Sequence, residues 1–461
     1  MIRIFKHHVA YPVLMLGIAD FAVLLLVAEA GWVLRLRQAG LDIGPLWERL
    51  PQLFTFAMAT QAAMVSVGVY MAEALQTYRF AAARLLAAIS LSVILISVMH
   101  FVLPEVTLWR SNSVISMALA FILLLALRFM LRDFLRGDVF KRRILLLGAG
   151  RRAKRVIDLA RRPGANFIVA ASVDMKDAPP QIETAICRTD IVNLGEYVDR
   201  LQANEVVLAL DERRNTVPVD ALLRVKTAGV HVTDISSFLE RETGRIDLDT
   251  LRPSWLIFSD GFSSGQRLSL MFKRSFDLLV SAILLLIAAP IIAITAIAVK
   301  LESPGPAFYR QSRVGRYGET FEILKLRSMR QDAEKHGAIW AQKGDARVTR
   351  IGKIIRLIRV DELPQMWTVL KGDMSFVGPR PERPEFVADL EKQIPFYAER
   401  HMIKPGITGW AQINYPYGAS LEEARHKLEY DLYYTKNYSP FLDVLIILQT
   451  LRVLLWAEGA R

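Results

Sequence analysis

The last third of the chain, Leu301 to Arg461, holds four polar clusters whose residue types suit phosphoryl transfer. Asp361 and Glu362 are adjacent carboxylates in Asp361-Glu362-Leu363-Pro364-Gln365. Neighbouring like charges push their pKa values apart, so one can act as nucleophile or metal ligand and the other as its partner. Gly372-Asp373-Met374-Ser375 and Val377-Gly378-Pro379-Arg380-Pro381-Glu382 follow closely. Arg380 stands between two prolines, which stiffen its backbone and present the guanidinium fork to a phosphate at a fixed angle. Lys325 and Arg327, in Lys325-Leu326-Arg327-Ser328-Met329, add positive charge for a diphosphate. A carboxylate pair beside a diphosphate calls for Mg²⁺, with Asp361 and Glu362 as its ligands. The other two clusters are Glu302-Ser303-Pro304-Gly305-Pro306, followed by Gln311, Arg313 and Gly315, and Lys404-Pro405-Gly406-Ile407-Thr408-Gly409-Trp410. By itself the Asp361-Glu362 pair also reads as the acidic first turn of a helix, which Pro364 suits. His7, His8, His336, His401 and His426 are scattered and Cys187 is the single cysteine, so neither a His/Cys metal site nor an intrachain disulfide is expected.

The element that must hold these clusters against their substrates is apolar. Phe276 to Val299 contains one charged residue, Asp277, and has Pro290 in its middle. Its length would span a bilayer, yet Lys273 and Arg274 precede it and Lys300, Arg310 and Arg313 follow, so both ends carry a cytoplasmic signature. A helix broken at Ala289-Pro290 would enter one leaflet and return. Four more apolar runs lie in the first third, about Pro12 to Leu34, Leu53 to Ala74, Ala81 to Leu103 and Ser113 to Leu131. With an apolar fraction of 52% they mark an integral membrane protein. Arg3, Lys6, Arg79, Arg84, Arg132, Arg136, Lys141, Arg142 and Arg143 fall on one side of a four-helix layout, against Arg35, Arg37, Arg49 and Arg110 on the other. The positive-inside rule then puts the N-terminus and everything after Leu131 in the cytoplasm. The net charge of +12 fits anionic lipid, phosphorylated substrates or nucleic acid and decides nothing among them.

From Arg142 short apolar strands alternate with helical stretches as far as Arg245, a small doubly wound α/β pattern. Gly148, Gly150 and Ala153 form a shortened dinucleotide fingerprint, with Asp174 at the distance of a ribose contact; a lone match of this kind is weak. The expected fold is a membrane protein: a four-helix transmembrane bundle in residues 1–135, an α/β Rossmann-like domain in 140–245 and a linker in 246–270. A mainly α-helical (α+β) catalytic domain follows in 271–461, with a re-entrant membrane helix at 276–299.

The ordered set of motifs resembles a known family. From Lys273-Arg274-Ser275-Phe276-Asp277 through the Pro-broken apolar segment, Ser303-Pro304-Gly305-Pro306, Lys325 to Met329, Asp361 to Gln365, Gly378-Pro379-Arg380-Pro381 and Lys404 to Trp410, the chain is similar to the bacterial sugar transferases, monotopic phosphoglycosyl transferases. The front of the chain resembles their larger members. The resemblance implies transfer of a hexose-1-phosphate from a UDP-sugar, UDP-glucose or UDP-galactose, to undecaprenyl phosphate, releasing UMP. It also implies Asp361 as nucleophile, a covalent aspartyl-phosphosugar intermediate, and Glu362, Lys325, Arg380 and Asp431 around the diphosphate and Mg²⁺. The expected location is the bacterial inner membrane, multi-pass, with the catalytic domain on the cytoplasmic face. The expected pathway is the start of exopolysaccharide, capsule or O-antigen assembly, with a homo-oligomer possible and no nucleic-acid partner. Two other classes compete: an NAD-dependent sugar-nucleotide dehydratase or epimerase, which needs a Tyr-x-x-x-Lys pair that the α/β region lacks, and a non-enzymatic assembly scaffold.

Overall fold

The computed structural model describes the chain except for residues 1, 5–6, 72–77, 137–140, 163, 177, 213–215, 260, 263–266, 332, 334–344, 346, 416–419 and 456–461. The end of the apolar run placed at Ala74 lies outside the described residues. Two compact units divide it, Met1–Ile4 with His8–Gly244 and Phe5–His7 with Arg245–Arg461. Among the described residues, five helices are long and apolar enough to cross a membrane, four in the first unit and one in the second.

The first four are α1 (Tyr11–Ala39), α2 (Leu46–Val67), α3 (Tyr78–Val102) and α4 (Arg110–Arg136). Glycine ends the first two: Gly40 and Gly68 adopt left-handed φ of 67° and 76° and return their N–H groups to the last turn. That left-handed stop makes α2 end at Val67, short of the apolar run that continues behind it. Lipid tails are as apolar as leucine, so packing and polar contacts must hold such a bundle together. Gly31 supplies the first kind, since a Cβ there would lie 2.2 Å from Ser116 Oγ of α4. The second kind is a buried ion pair: Arg128 of α4 donates to both oxygens of Asp20 of α1, at 2.8 and 2.6 Å. Tyr70 donates to the same carboxylate at 2.8 Å and accepts from Gln61 of α2 at 2.7 Å.

The rest of the first unit is a five-stranded parallel sheet in the order β3-β2-β1-β4-β5, built from β1 (Arg142–Leu147), β2 (Phe167–Asp174), β3 (Ile186–Cys187), β4 (Glu205–Leu208) and β5 (His231–Asp234). Side chains alternate across a strand, so Ile144 and Leu146 enter one core with Val207, while Leu145 and Leu147 enter the other with Val206. Both faces are covered by short helices, α5 (Arg151–Ala160), α6 (Leu194–Arg200), α7 (Val219–Thr227) and α8 (Ile235–Thr243).

In the second unit, part of the stretch expected as a linker is core. Ile246, Leu248 and Leu251 are buried with Leu428, Leu432, Tyr433 and Leu442, and Ile246 donates to the Glu429 carbonyl. A short helix, α9 (Pro253–Phe258), precedes α10 (Arg267–Glu302), the fifth apolar helix. Pro290 lies inside α10, and the helix continues across it, without the break expected at Ala289-Pro290. Then come the antiparallel hairpin β6 (Phe308–Val314) and β7 (Thr320–Leu326), and α11 (Arg350–Leu357). A 3₁₀ turn at Val360–Glu362 leads into α12 (Gln365–Lys371). Strand β8 (Ser375–Val377), α13 (Pro384–Gln393), β9 (Gly406–Thr408) and α14 (Trp410–Asn414) follow, and α15 (Leu421–Asn437) and α16 (Pro440–Leu455) close the chain. Strand β8 pairs with β9 in parallel. Ser420 and Glu423 start α15 with a reciprocal capping box.

Candidate active site

The dyad is made by a backbone reversal. Arg359 takes a left-handed φ of 60°, rare for a residue with a side chain, and starts the tight turn that holds Asp361 and Glu362 ahead of α12. The two carboxylates are treated unequally. Glu362 Oε1 accepts from Arg380 Nη2 at 2.6 Å and from Lys325 Nζ at 3.1 Å, with Arg359 at 4.0 Å from Oε2. Burial works to raise Glu362, but the charges of Arg380 and Lys325 outweigh it and hold its carboxyl well below the usual range. Asp361 is also buried, and among the described residues its carboxylate receives no hydrogen bond. Burial and then the charge of Glu362 push its pKa up, against Lys325, Arg356 and Arg380. Lys325 is pushed down by burial and by Arg380 and Arg313, with Glu362 opposing.

Three of the expected motifs meet here through their side chains: Lys325 from β7, the dyad, and Arg380 from the segment after β8. A fourth acts through its backbone. Gly378 donates to Thr408 O at 2.9 Å, and Gly406 donates to Pro379 O at 2.9 Å. A Cβ on Gly378 would lie 2.4 Å from Lys404 O, and one on Gly406 would lie 2.0 Å from Gly378 N. The Lys404 to Trp410 motif is thus a platform against which Gly378-Pro379-Arg380 is seated, and glycine is required where the two backbones touch.

Two expected substrate contacts are engaged elsewhere. Arg327 is buried and gives its guanidinium to the end of α10, donating to Ser303 O at 2.7 Å, Pro304 O at 2.6 Å and Ser303 Oγ at 2.9 Å. It satisfies carbonyls that a helix C-terminus leaves open, and the Ser303-Pro304-Gly305-Pro306 turn folds over it. Asp431 is buried on α15 and takes two hydrogen bonds from Arg400, at 3.1 and 2.7 Å. Arg400 in turn donates to the Arg380 carbonyl at 2.9 Å, so Asp431 reaches the cluster through Arg400. Neither Arg400 nor Arg359 was singled out in the sequence. Arg359 had a signal, its place three residues before Glu362; Arg400 had none.

Among the described residues no group of three or more His, Cys, Asp or Glu side chains converges to hold a metal. The donor set is one open carboxylate, Asp361, beside one already engaged by cations, Glu362. This suits Mg²⁺ only as that ion is usually bound near phosphates, by one or two carboxylates with the substrate supplying further oxygens.

The glycine turn of the α/β sheet is occupied by the chain itself. The N–H groups of Arg151 and Arg152, at the start of α5, donate to the Asp211 carboxylate at 2.8 and 3.3 Å. A Cβ on Gly150 would lie 2.1 Å from Asp211 Oδ2, so the carboxylate fills the position where a helix N-terminus would hold a phosphate. Asp174 accepts from Lys176 N at 2.8 Å, a local turn.

Residues 268–457 match the family described as bacterial sugar transferase. A UDP-N-acetylgalactosamine-undecaprenyl-phosphate N-acetylgalactosaminephosphotransferase of Aeromonas hydrophila is 46% identical over 240 residues, 52% of this chain and 56% of that one. The chain therefore spans about half the length of that relative. A putative undecaprenyl-phosphate N-acetylgalactosaminyl 1-phosphate transferase of Bacillus subtilis is 56% identical over 131 residues, 28% of this chain and 73% of its own. A UDP-glucose:undecaprenyl-phosphate glucose-1-phosphate transferase of Caulobacter vibrioides is 42% identical over 190 residues, 41% of this chain and 71% of its own. The stretch 268–457 that matches the family holds the dyad, Lys325 and Arg380, and with the last two relatives matched over more than two thirds of their own length the chain belongs to the bacterial sugar transferase family.

Proposed function

We propose that this protein transfers a sugar-1-phosphate from a UDP-sugar to undecaprenyl phosphate, with Asp361 as the attacking group. The observation that carries this is the asymmetry of the dyad: Glu362 is neutralised by Arg380 and Lys325, while Asp361 beside it is left without a hydrogen-bond partner among the described residues. An oxygen of Asp361 attacks the β-phosphorus of the UDP-sugar, the bond from that phosphorus to the oxygen bridging the two phosphates breaks, and UMP leaves with the electron pair. A phosphate oxygen of undecaprenyl phosphate then attacks the same phosphorus and the aspartyl bond breaks, regenerating the carboxylate. Glu362 holds Lys325 and Arg380 at the positions where equatorial phosphoryl oxygens need charge. Mg²⁺, carried on Asp361 and Glu362 together with substrate phosphates, would supply further neutralisation of the diphosphate. The relatives act on N-acetylgalactosamine or glucose donors by name, so the test is a panel. Membranes carrying the chain are expected to move radiolabel from UDP-glucose, UDP-galactose or UDP-N-acetylgalactosamine into undecaprenyl phosphate. If no donor labels the lipid, the reading fails.

Glu362→Gln and Arg380→Ala are each expected to lower that transfer by ~10²-fold, the loss that follows removal of a transition-state charge partner. EDTA is expected to stop the reaction and Mg²⁺ to restore it. Transfer that persists in EDTA would remove the metal from the scheme.

The α/β domain is read as Rossmann-like in form and structural in role, because its own Asp211 takes the helix N-terminal N–H groups that a dinucleotide phosphate would meet. The membrane setting is proposed as the bacterial inner membrane, with Phe276 to Val299 entering and leaving on the cytoplasmic side and the axis bending at Pro290. Support comes from the two ends of α10, which pack on one unit. Arg274 bonds the Val369 and Leu370 carbonyls of α12, and Glu302 accepts from the N–H groups of Arg350 and Ile351 at the start of α11. Reporters fused after Arg143 and at Arg461 are both expected to report cytoplasm; opposite sides would mean that α10 spans.

A further inference from the structure

Lys273, Arg274 and Asp277 stand on the lipid-proximal helix α10, yet each is turned to the catalytic segments. Arg274 Nη1 and Nη2 donate to Val369 O and Leu370 O, both at 2.7 Å, carbonyls that the C-terminal turn of α12 leaves open. Helix α12 begins only three residues after Glu362. Asp277, itself 3% exposed, accepts from Phe376 N at 2.9 Å and from Ser375 Oγ at 3.1 Å, both on β8. Lys273 Nζ donates to Val377 O at 3.0 Å and to Asp443 at 2.7 Å. Strand β8 runs directly into Gly378-Pro379-Arg380, and Arg380 closes on Glu362. The connections form a ring: α10 to α12, α12 back to the dyad, Glu362 across to Arg380, and β8 back to α10.

We propose that Arg274 and Asp277 are positioning residues that fix the dyad and Arg380 relative to each other, so that the helix which meets the lipid also sets the geometry of the phosphoryl site. As a statement about catalysis this rests on the reading of Asp361 as nucleophile; as a statement about coupling it does not. The two residues touch different segments, which separates this role from ordinary local support. Loss of a bond to α12 should be felt at β8, and loss of a bond to β8 should be felt at the dyad.

The test uses the full chain in membranes with two readouts. In the transfer assay, Arg274→Gln and Asp277→Ala are each expected to lower kcat by ~10²-fold, the cost of displacing a reacting group by about 1 Å, with KM for the UDP-sugar nearly unchanged. Asp277→Asn keeps an oxygen acceptor for Phe376 N and should stay near wild type, while Arg274→Lys keeps the charge but not the fork and should fall between. In amide exchange, the segments 361–372 and 374–380 should both exchange faster in Arg274→Gln and in Asp277→Ala, by ~10-fold or more. Faster exchange confined to the segment each residue touches would overturn the proposal, as would wild-type kcat in a folded Arg274→Gln. If those two variants do not fold, Arg274→Lys decides: wild-type kcat and wild-type exchange in it would also overturn the proposal. A wild-type chain that transfers no sugar phosphate would end the functional reading, and the exchange pattern would still decide the coupling.

Discussion

Asp361→Asn is expected to abolish sugar-phosphate transfer and UMP release, by ~10⁴-fold or more, while the chain stays folded and in the membrane. The substitution is nearly isosteric, and among the described residues the Asp361 carboxylate holds no hydrogen bond whose loss would disturb the fold. Glu362 cannot take over, because its Oε1 is held by Arg380 and Lys325 and the pair of cations would have to be released. Acidity gives a second signature of the same residue. Burial and the Glu362 charge raise Asp361 above the ordinary aspartate range, so the attacking, ionised form is lost at a higher pH than usual. The acid limb of kcat/KM should therefore lie above about 4, the ordinary aspartate value. In the residual activity of Glu362→Gln that limb should move to lower pH, since a like charge has gone and Lys325 and Arg380 are left to act on Asp361. Turnover near wild type in Asp361→Asn, or an acid limb unmoved by Glu362→Gln, would take the nucleophile away from this position.

Residue type and order were enough to name Lys325, Asp361, Glu362 and Arg380, which the fold brings into one cluster, because phosphoryl transfer draws on few side-chain types and these stand in rigid, proline-marked surroundings. They were not enough to separate a cation that joins the dyad from one that ends a helix. Lys325 lies on β7 and Arg327 two residues on, and in an extended strand neighbours of this kind share a face. Arg327, however, follows the last strand residue, where Ser303 and Pro304 offer open carbonyls. Asp431 was hidden for a related reason: its partner Arg400 comes from a 3₁₀ turn 31 residues away, and no local pattern announces such a pairing. The five apolar helices were legible from length and hydropathy, and the parallel sheet from short apolar runs between helical stretches. The burial of Ile246 to Leu251 was not, since three apolar residues among polar ones look the same in a linker as in a segment that packs against α15.

The interior of the four-helix bundle carries the second large expected effect. Asp20 and Arg128 were absorbed into long apolar runs, where one charge per helix hardly lowers the mean hydropathy, yet the structure pairs them face to face at 0% and 5% exposure. Tyr70 donates to the same carboxylate, so Asp20 has partners on both oxygens. A charge at this depth is tolerated only while it is matched. Arg128→Leu should leave Asp20 uncompensated and destabilise the bundle by about 3–5 kcal/mol, a loss of roughly 10²- to 4 × 10³-fold in the folding equilibrium. Asp20→Leu alone should do comparable harm through the stranded guanidinium. The double change Asp20→Leu with Arg128→Met removes both charges and should recover most of the stability, because an apolar pair of similar volume replaces a buried ion pair at little or no net cost. Detergent unfolding of the full chain, followed by the fraction that stays folded, measures all three variants against wild type. Strong coupling between the two sites is the expected result; single variants as stable as the double one would mean that water or lipid headgroups reach the pair and that the bundle does not depend on it.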